Sequence, residues 1–299
     1  MSAESNPHLP LQNNGLGIAL RVMAMSCMAG LAGLVKWSSA KGVPVLEIIF
    51  FRNAFAFIPV GLYIWRTSGI SVLKTSRPLG HLTRSAIGLT AMVCSFSAVA
   101  RLSLTQSTAL NFSTPLFMTA FSAVLLGEAV STQRWAAVVV GFVGVLIMVH
   151  PDPANMVLVG TLFGLAGAIA AAGAQIAIRE ISQTEPGPTI VFYFTLSGAV
   201  LGLCSLPFGW VMPDVQTLAL LVLAGLVGGT GQLFLTEALR QAPVAVVAPF
   251  DYSQLLWAGL IGYFVWGEVP HALTLVGGVI VAASSLYILW RETRRFRVE

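Results

Sequence analysis

Residues 104–149 read LTQSTALNFSTPLFMTAFSAVLLGEAVSTQRWAAVVVGFVGVLIMV, and residues 242–289 read APVAVVAPFDYSQLLWAGLIGYFVWGEVPHALTLVGGVIVAASSLYIL. Each segment is an apolar span holding a proline and a polar cluster, then Gly-Glu, a short connection and a second apolar span. With Gly127-Glu128 set against Gly267-Glu268, Asn111 falls on Asp251, Ser113 on Ser253 and Leu116 on Leu256 without a gap. Identity outside those positions is thin, so the internal duplication is carried by pattern, as in folds built from two related halves.

The rest of the chain has the same character. Of its 299 residues, 56% are hydrophobic and 9% charged, with mean hydropathy +0.83, whereas soluble domains carry about 25% charged residues. The composition specifies an all-α integral membrane protein. Apolar spans of the roughly 20 residues that cross a bilayer are expected near 16–40, 44–65, 79–100, 104–126, 133–149, 157–179, 189–210, 215–239, 243–266 and 271–290. Five spans bring the chain out on the far side, so the second five repeat the first upside down. The expected fold is ten transmembrane helices as two inverted five-helix repeats around a central cavity. The boundaries follow: a cytoplasmic tail over 1–14, the first repeat over 15–150, the second over 151–290 and a basic tail over 291–299. The N-terminal MSAESNPHLPLQNNG lacks a cationic start and a cleavage site, so the first span is expected to be retained.

The net charge of +4 does not point to nucleic acid, because the cations are sorted by side. Arg66, Lys74 and Arg77 follow span two, Arg134 follows span four, Arg179 and Arg240 end spans six and eight, and Arg291, Arg294, Arg295 and Arg297 close the chain. The opposite loops hold little beyond Lys41 and Arg101. The positive-inside rule places both termini in the cytoplasm, and the protein in the plasma (inner) membrane. Cys27, Cys94 and Cys204 lie inside spans without CxxC spacing, and the four histidines are scattered, so buried free thiols are expected, with no disulfide framework, metal site or cofactor.

Polar residues inside the spans mark candidate sites. Arg52 and Asn53 lie well inside span two, where a guanidinium costs roughly 2.5 kcal/mol or more and must face protein or water. Arg52, the one cation read at that depth, either meets an anionic part of a substrate or makes a structural pair with carbonyls or an acid. Arg21, about one turn inside span one, is expected to snorkel to the cytoplasmic face. In span four, Thr108, Asn111, Pro115, Thr119 and Ser122 share one stripe, and span nine repeats the device with Pro249, Asp251, Tyr252 and Gln254. A proline there frees a carbonyl that must be satisfied, so its surroundings suit a cavity lining. Asp251 is the one acid read deep in a span, either as a functional group or as a neutralised or protonated element of the fold. Gln175, Gln232 and Trp257 complete the candidate substrate-binding set of Arg52, Asn111, Asp251, Tyr252, Gln254, Trp257, Gln175 and Gln232. Glycines in spans six, seven and eight are read as helix-packing positions, and Glu128 and Glu268, each following a glycine at a helix end, as caps.

The pattern resembles the ten-helix exporters of the drug/metabolite transporter superfamily, whose EamA-type halves each end in Gly-Glu, a Trp or equivalent and a glycine-bearing last helix. Here these are Gly127, Glu128, Trp135 and Gly144, then Gly267, Glu268 and Gly277; Arg52 matches an arginine often carried in helix two. The second copy departs at Leu275 and Ser284. The resemblance covers residues 15–290 and, among the branches, is greatest to the aromatic amino-acid exporters. It implies a central cavity lined by both halves and transport of small metabolites such as amino acids.

The expected function is therefore a secondary transporter, not an enzyme. It exports small organic metabolites by alternating access, amino acids with apolar or aromatic side chains foremost and amphipathic drugs as a further class. One cation and one acid, Arg52 and Asp251, could hold a zwitterion while Tyr252 and Trp257 meet its side chain. The rival readings are a membrane-embedded transferase, which would need a DxxD, HxxxxD or HExxH motif that the sequence lacks, and a passive channel subunit. No GxxxxGK[ST] loop for ATP is present. The expected partners are a small-molecule substrate and the lipid bilayer, with the chain a monomer or weak homodimer.

Overall fold

The computed structural model describes residues 13–67, 69–125, 132–148, 155–242 and 247–295, and the regular structure among them is helical throughout. The helices are α1 (Asn14–Ala40), α2 (Val45–Thr67), α3 (Pro78–Val99), α4 (Leu104–Asn111), α5 (Thr114–Leu125), α6 (Thr132–Met148), α7 (Asn155–Ile181), α8 (Gly187–Cys204), α9 (Val215–Gln241), α10 (Ser253–Trp266) and α11 (Ala272–Arg295). Starts are set by local caps: Asn13 accepts the Leu16 amide at 3.0 Å, Ser103 that of Gln106 at 3.2 Å and Asp214 that of Thr217 at 2.9 Å. Six helices, α1, α2, α3, α8, α9 and the 158–178 stretch of α7, are individually long and apolar enough to cross a membrane. The Gly127-Glu128 pair and the proline seam at 150–154 lie outside the described residues.

The packing obeys a two-fold exchange of the halves. α1 packs on α9 and α3 on α7, which is the first span of each repeat against the third of the other. α2 packs on its counterpart α8, and α6 on its counterpart α11. The chain is thus an all-α membrane protein of ten spans in two inverted repeats. The two-fold is broken in one place: α2 lies along α9 over a longer seam than α3 along α8. Large apolar residues left exposed, Leu62, Trp65, Leu82, Leu146, Leu223 and Phe264 among them, face outward as a lipid-solvated surface does. The cysteines follow suit. Cys204 is exposed and Cys27 and Cys94 are partly so, which corrects the expectation of burial: a thiol against lipid is already out of water.

Spans four and nine are discontinuous where the duplicated motif places its prolines. Span four breaks at Phe112 and Ser113, between α4 and α5, with Pro115 in the first turn of α5. Span nine enters through a 3₁₀ turn, Ala248–Tyr252, with Pro249 in its first two positions, before α10 begins. Ser113 Oγ donates to Leu110 O, and Ser253 Oγ to Phe250 O, both at 2.6 Å. The aligned serines therefore do the same work, satisfying a carbonyl released at the break. The Phe112 carbonyl is met by Ser285 Oγ of α11 at 3.3 Å. Phe112 and Tyr252, the equivalent residues at the two breaks, meet edge to face at 4.8 Å. The breaks thus pack on each other near the two-fold, in a core that includes Leu110, Leu116 and Val281.

The Gly-Glu motif also has a physical account. Gly267 ends α10 at φ +66°, the left-handed region that favours glycine. Its amide donates to Tyr263 O at 2.9 Å and that of Glu268 to Gly262 O at 3.0 Å. This turn aims Glu268 at the other repeat, where Oε2 accepts the Leu104 amide at the start of α4 at 2.9 Å and Oε1 pairs with Lys36 of α1. Lys36 Nζ donates in addition to Leu102 O at 2.6 Å. The cap role read for Glu268 is realised across the repeat boundary.

Close glycine contacts set the helix separations around α2. A Cβ at Gly202 of α8 would lie 2.6 Å from Phe50 Cα, and one at Gly225 of α9 would collide with Phe55 and stand 3.1 Å from the Arg52 carbonyl. Gly225→Val is expected to lower the melting temperature in detergent, at a cost of about 1–3 kcal/mol for overpacking. Gly61→Ala, whose added carbon meets nothing within 4 Å, is expected to leave it unchanged or raise it, as measured by tryptophan fluorescence on heating.

Candidate functional site

A small cavity lies between the repeats, lined by Arg52, Ala56 and Val60 of α2, Arg84 of α3, Val191, Phe194 and Thr195 of α8, and Gly229 and Gln232 of α9. Arg52 is 3% and Arg84 8% exposed. Arg52 Nη1 donates to Asn53 Oδ1 at 2.8 Å, and Asn53 Nδ2 in turn donates to Ile49 O at 2.8 Å. The Arg84 guanidinium lies over the Phe194 ring, 3.8 Å from its centroid, a contact worth about 2 kcal/mol when desolvated. Among the described residues neither guanidinium has an acidic partner, and Arg52 Nε, Arg84 Nε and Arg84 Nη1 make no hydrogen bond. The walls between are apolar.

Of the residues singled out from sequence, Arg52 and Gln232 line this cavity. Asn111, Gln254 and Trp257 are half-buried elsewhere, and Gln175 is exposed on α7. Tyr252 is in the packed contact with Phe112. Asp251 is not near a free cation awaiting a substrate: Arg21 Nη2 donates to Asp251 Oδ2 at 2.6 Å, and Arg21 Nε pairs with Oδ1. This corrects two expectations. Arg21, 9% exposed, does not snorkel, because the break in span nine presents a carboxylate to α1 within its reach. Asp251 does not neutralise Arg52. Glu47 of α2 is an acid that is wholly buried, and it accepts the Val211 amide at 3.0 Å.

Arg84 was the functional candidate missing from the sequence reading. Its signal was the one that marked Arg52, an arginine inside an apolar span, but its nearness to Arg77 and Lys74 merges it with the cationic end. The start of α3 is pinned there. Glu185, between α7 and α8, accepts from Thr75 Oγ1 at 2.9 Å and from the Ser76 amide at 3.0 Å, with His81 Nε2 3.5 Å away. Desolvation opposes its ionisation, yet these donors outweigh it and hold the carboxyl below the usual carboxylate value. The stabilisation is therefore present above the unfolded carboxylate pKa and lost as pH falls through the lowered one.

The Arg21–Asp251 pair is testable as structure rather than as a site. Asp251→Asn leaves Arg21 charged and buried, and is expected to lower the melting temperature. The cost should fall below the roughly 3–5 kcal/mol of a fully enclosed pair, because the Asp251 side chain is 33% exposed. The double change Arg21→Gln with Asp251→Asn is expected to recover part of the loss, read by thermal unfolding in the same detergent.

The EamA-like transporter family matches residues 15–150 and 158–290, one segment per repeat. A pseudopaline exporter of Pseudomonas aeruginosa is 33% identical over 274 residues, covering 90% of this chain and 94% of its own. A riboflavin transporter of Rhizobium johnstonii is 30% identical over 286 residues (94% and 93%), and an S-adenosylmethionine uptake transporter of Rickettsia bellii 30% over 251 residues (83% and 84%). A solved crystal structure shares the fold with a TM-score of 0.63 at 19% identity, over 94% of this chain and 98% of that one. Duplicated motif, two-fold packing and relatives agree: the chain belongs to the EamA-like transporter family of the drug/metabolite transporter superfamily, multi-pass membrane proteins that carry small molecules rather than catalyse reactions.

Proposed function

We propose that the protein exports small organic carboxylates from the cytoplasm by alternating access, amino acids with apolar or aromatic side chains among them, with the carboxylate held by Arg52. The observation that carries this is a buried guanidinium without an acidic partner in a cavity shared by both repeats. Ala56, Val60, Val191 and Phe194 supply apolar wall for a side chain, and Gln232 a neutral hydrogen-bonding group. The unequal seams, α2 on α9 and α3 on α8, support alternating access: exchanging them by rocking one repeat on the other would move the opening across the membrane. Export follows the exporter among the relatives, and amphipathic drugs fit the same apolar wall. Asp251 serves Arg21, so the ammonium of an amino acid is left to water or to carbonyl groups. The chain acts as a monomer or weak homodimer, in the plasma (inner) membrane.

Purified protein in liposomes loaded with labelled leucine, phenylalanine and glutamate, with and without a proton gradient, tests this. Efflux of at least one is expected, and Arg52→Gln should cut it about tenfold or more, the worth of one charge-assisted hydrogen bond. Normal efflux in that variant, or no carboxylate moved by the native protein, would overturn the reading. Sidedness is a separate expectation: in a cysteine-free background, Asp214→Cys should react with an impermeant maleimide added to intact cells, and Ser71→Cys only after lysis.

A further inference from the structure

The cavity holds two guanidiniums, not one, and this bears on what it carries. Arg52 and Arg84 come from neighbouring helices of the first repeat, line the same cavity, and are both more than nine-tenths buried. Their unused donors, Arg52 Nε and Arg84 Nε and Nη1, belong to side chains that line the same space. Neither has a carboxylate beside it among the described residues, whereas the other two long cations at depth, Arg21 and Lys36, each do. Charges out of water persist when they are paired or hydrogen-bonded. Two adjacent unpaired cations with free planar donors are the complement of an anion with two charges, since each fork can take a carboxylate or two oxygens of a phosphate. A zwitterion with one carboxylate would leave one guanidinium unmatched and its own ammonium facing two positive charges.

We infer that the Arg52–Arg84 cavity selects solutes carrying two anionic groups, a second carboxylate or a dianionic phosphate, over those carrying one. This rests on the reading of the cavity as the transport site. Arg84 is then a specificity residue. The thermal upshift and proteoliposome efflux of the native protein can be compared for three probes on one skeleton: norvaline with one carboxylate, glutamate with two, and O-phosphoserine with a phosphate. Glutamate or O-phosphoserine is expected to be moved about tenfold or more better than norvaline, and the stronger of the two identifies the second group. Arg84→Gln should abolish that preference, bringing glutamate and O-phosphoserine efflux down to the level of norvaline in the same variant, and Arg84→Lys, which keeps the charge but not the fork, should restore part of it. Equal transport of all three probes, or a preference surviving Arg84→Gln, would overturn the inference while leaving carboxylate transport standing. Failure of the native protein to bind or move any probe would remove both. If Arg84→Gln does not yield monodisperse protein, a preference for two anionic groups undiminished in Arg84→Lys decides against the fork.

Discussion

Every backbone amide and carbonyl of this chain that lies in lipid has to find its partner within the protein, because the hydrocarbon offers none. That constraint makes the fold helical and also picks out where helices can stop. Spans four and nine are interrupted at equivalent points, and at each the same residue, Ser113 or Ser253, turns its hydroxyl back on the carbonyl three residues earlier. The two breaks are then sealed against each other by Phe112 and Tyr252. Where a helix ends near the membrane surface, the solution is different. Gly267 takes the left-handed turn, and Glu268 reaches across to the first amide of α4. One motif thus does two things, ending one helix and starting another in the opposite repeat.

The buried charges divide along the same lines. Arg21 and Lys36 of α1 are each matched by an acid from the ninth span or its end, Asp251 and Glu268. α1 is thereby pinned to the second repeat at two heights, and those charges belong to the architecture. Arg52 and Arg84 are not matched. The difference is one of neighbourhood: the glycine contacts that bring α2 against α8 and α9 exclude bulky groups from that seam, and among the described residues no acid lines the cavity.

Symmetry explains how such a site could be reached from either side. Two inverted repeats can exchange their packing without any residue changing its neighbours within a repeat. In the present arrangement α2 runs along α9 over a longer seam than α3 along α8. The cavity lies between the repeats, lined by α2 and α3 of the first and by α8 and α9 of the second.

Much of this was legible in the chain itself. Composition alone demanded membrane helices. The offset that aligns Gly127-Glu128 with Gly267-Glu268 predicted a duplication whose equivalent serines now stand at equivalent breaks, and Arg52 was visible as a cation where none should be without purpose. Charge pairing was not legible. Arg21 and Asp251 are 230 residues apart, and nothing local distinguishes an acid that faces α1 from one that faces a substrate. Nor was it evident that Arg84, read with the cationic loop beside it, turns into the bundle. Periodicity tells which residues share a face of one helix, and sequence therefore determined the helices, their number and their duplication. Which faces meet, and so which charges cancel and which remain, is set by contacts between helices distant in the chain, and only the tertiary structure decided that.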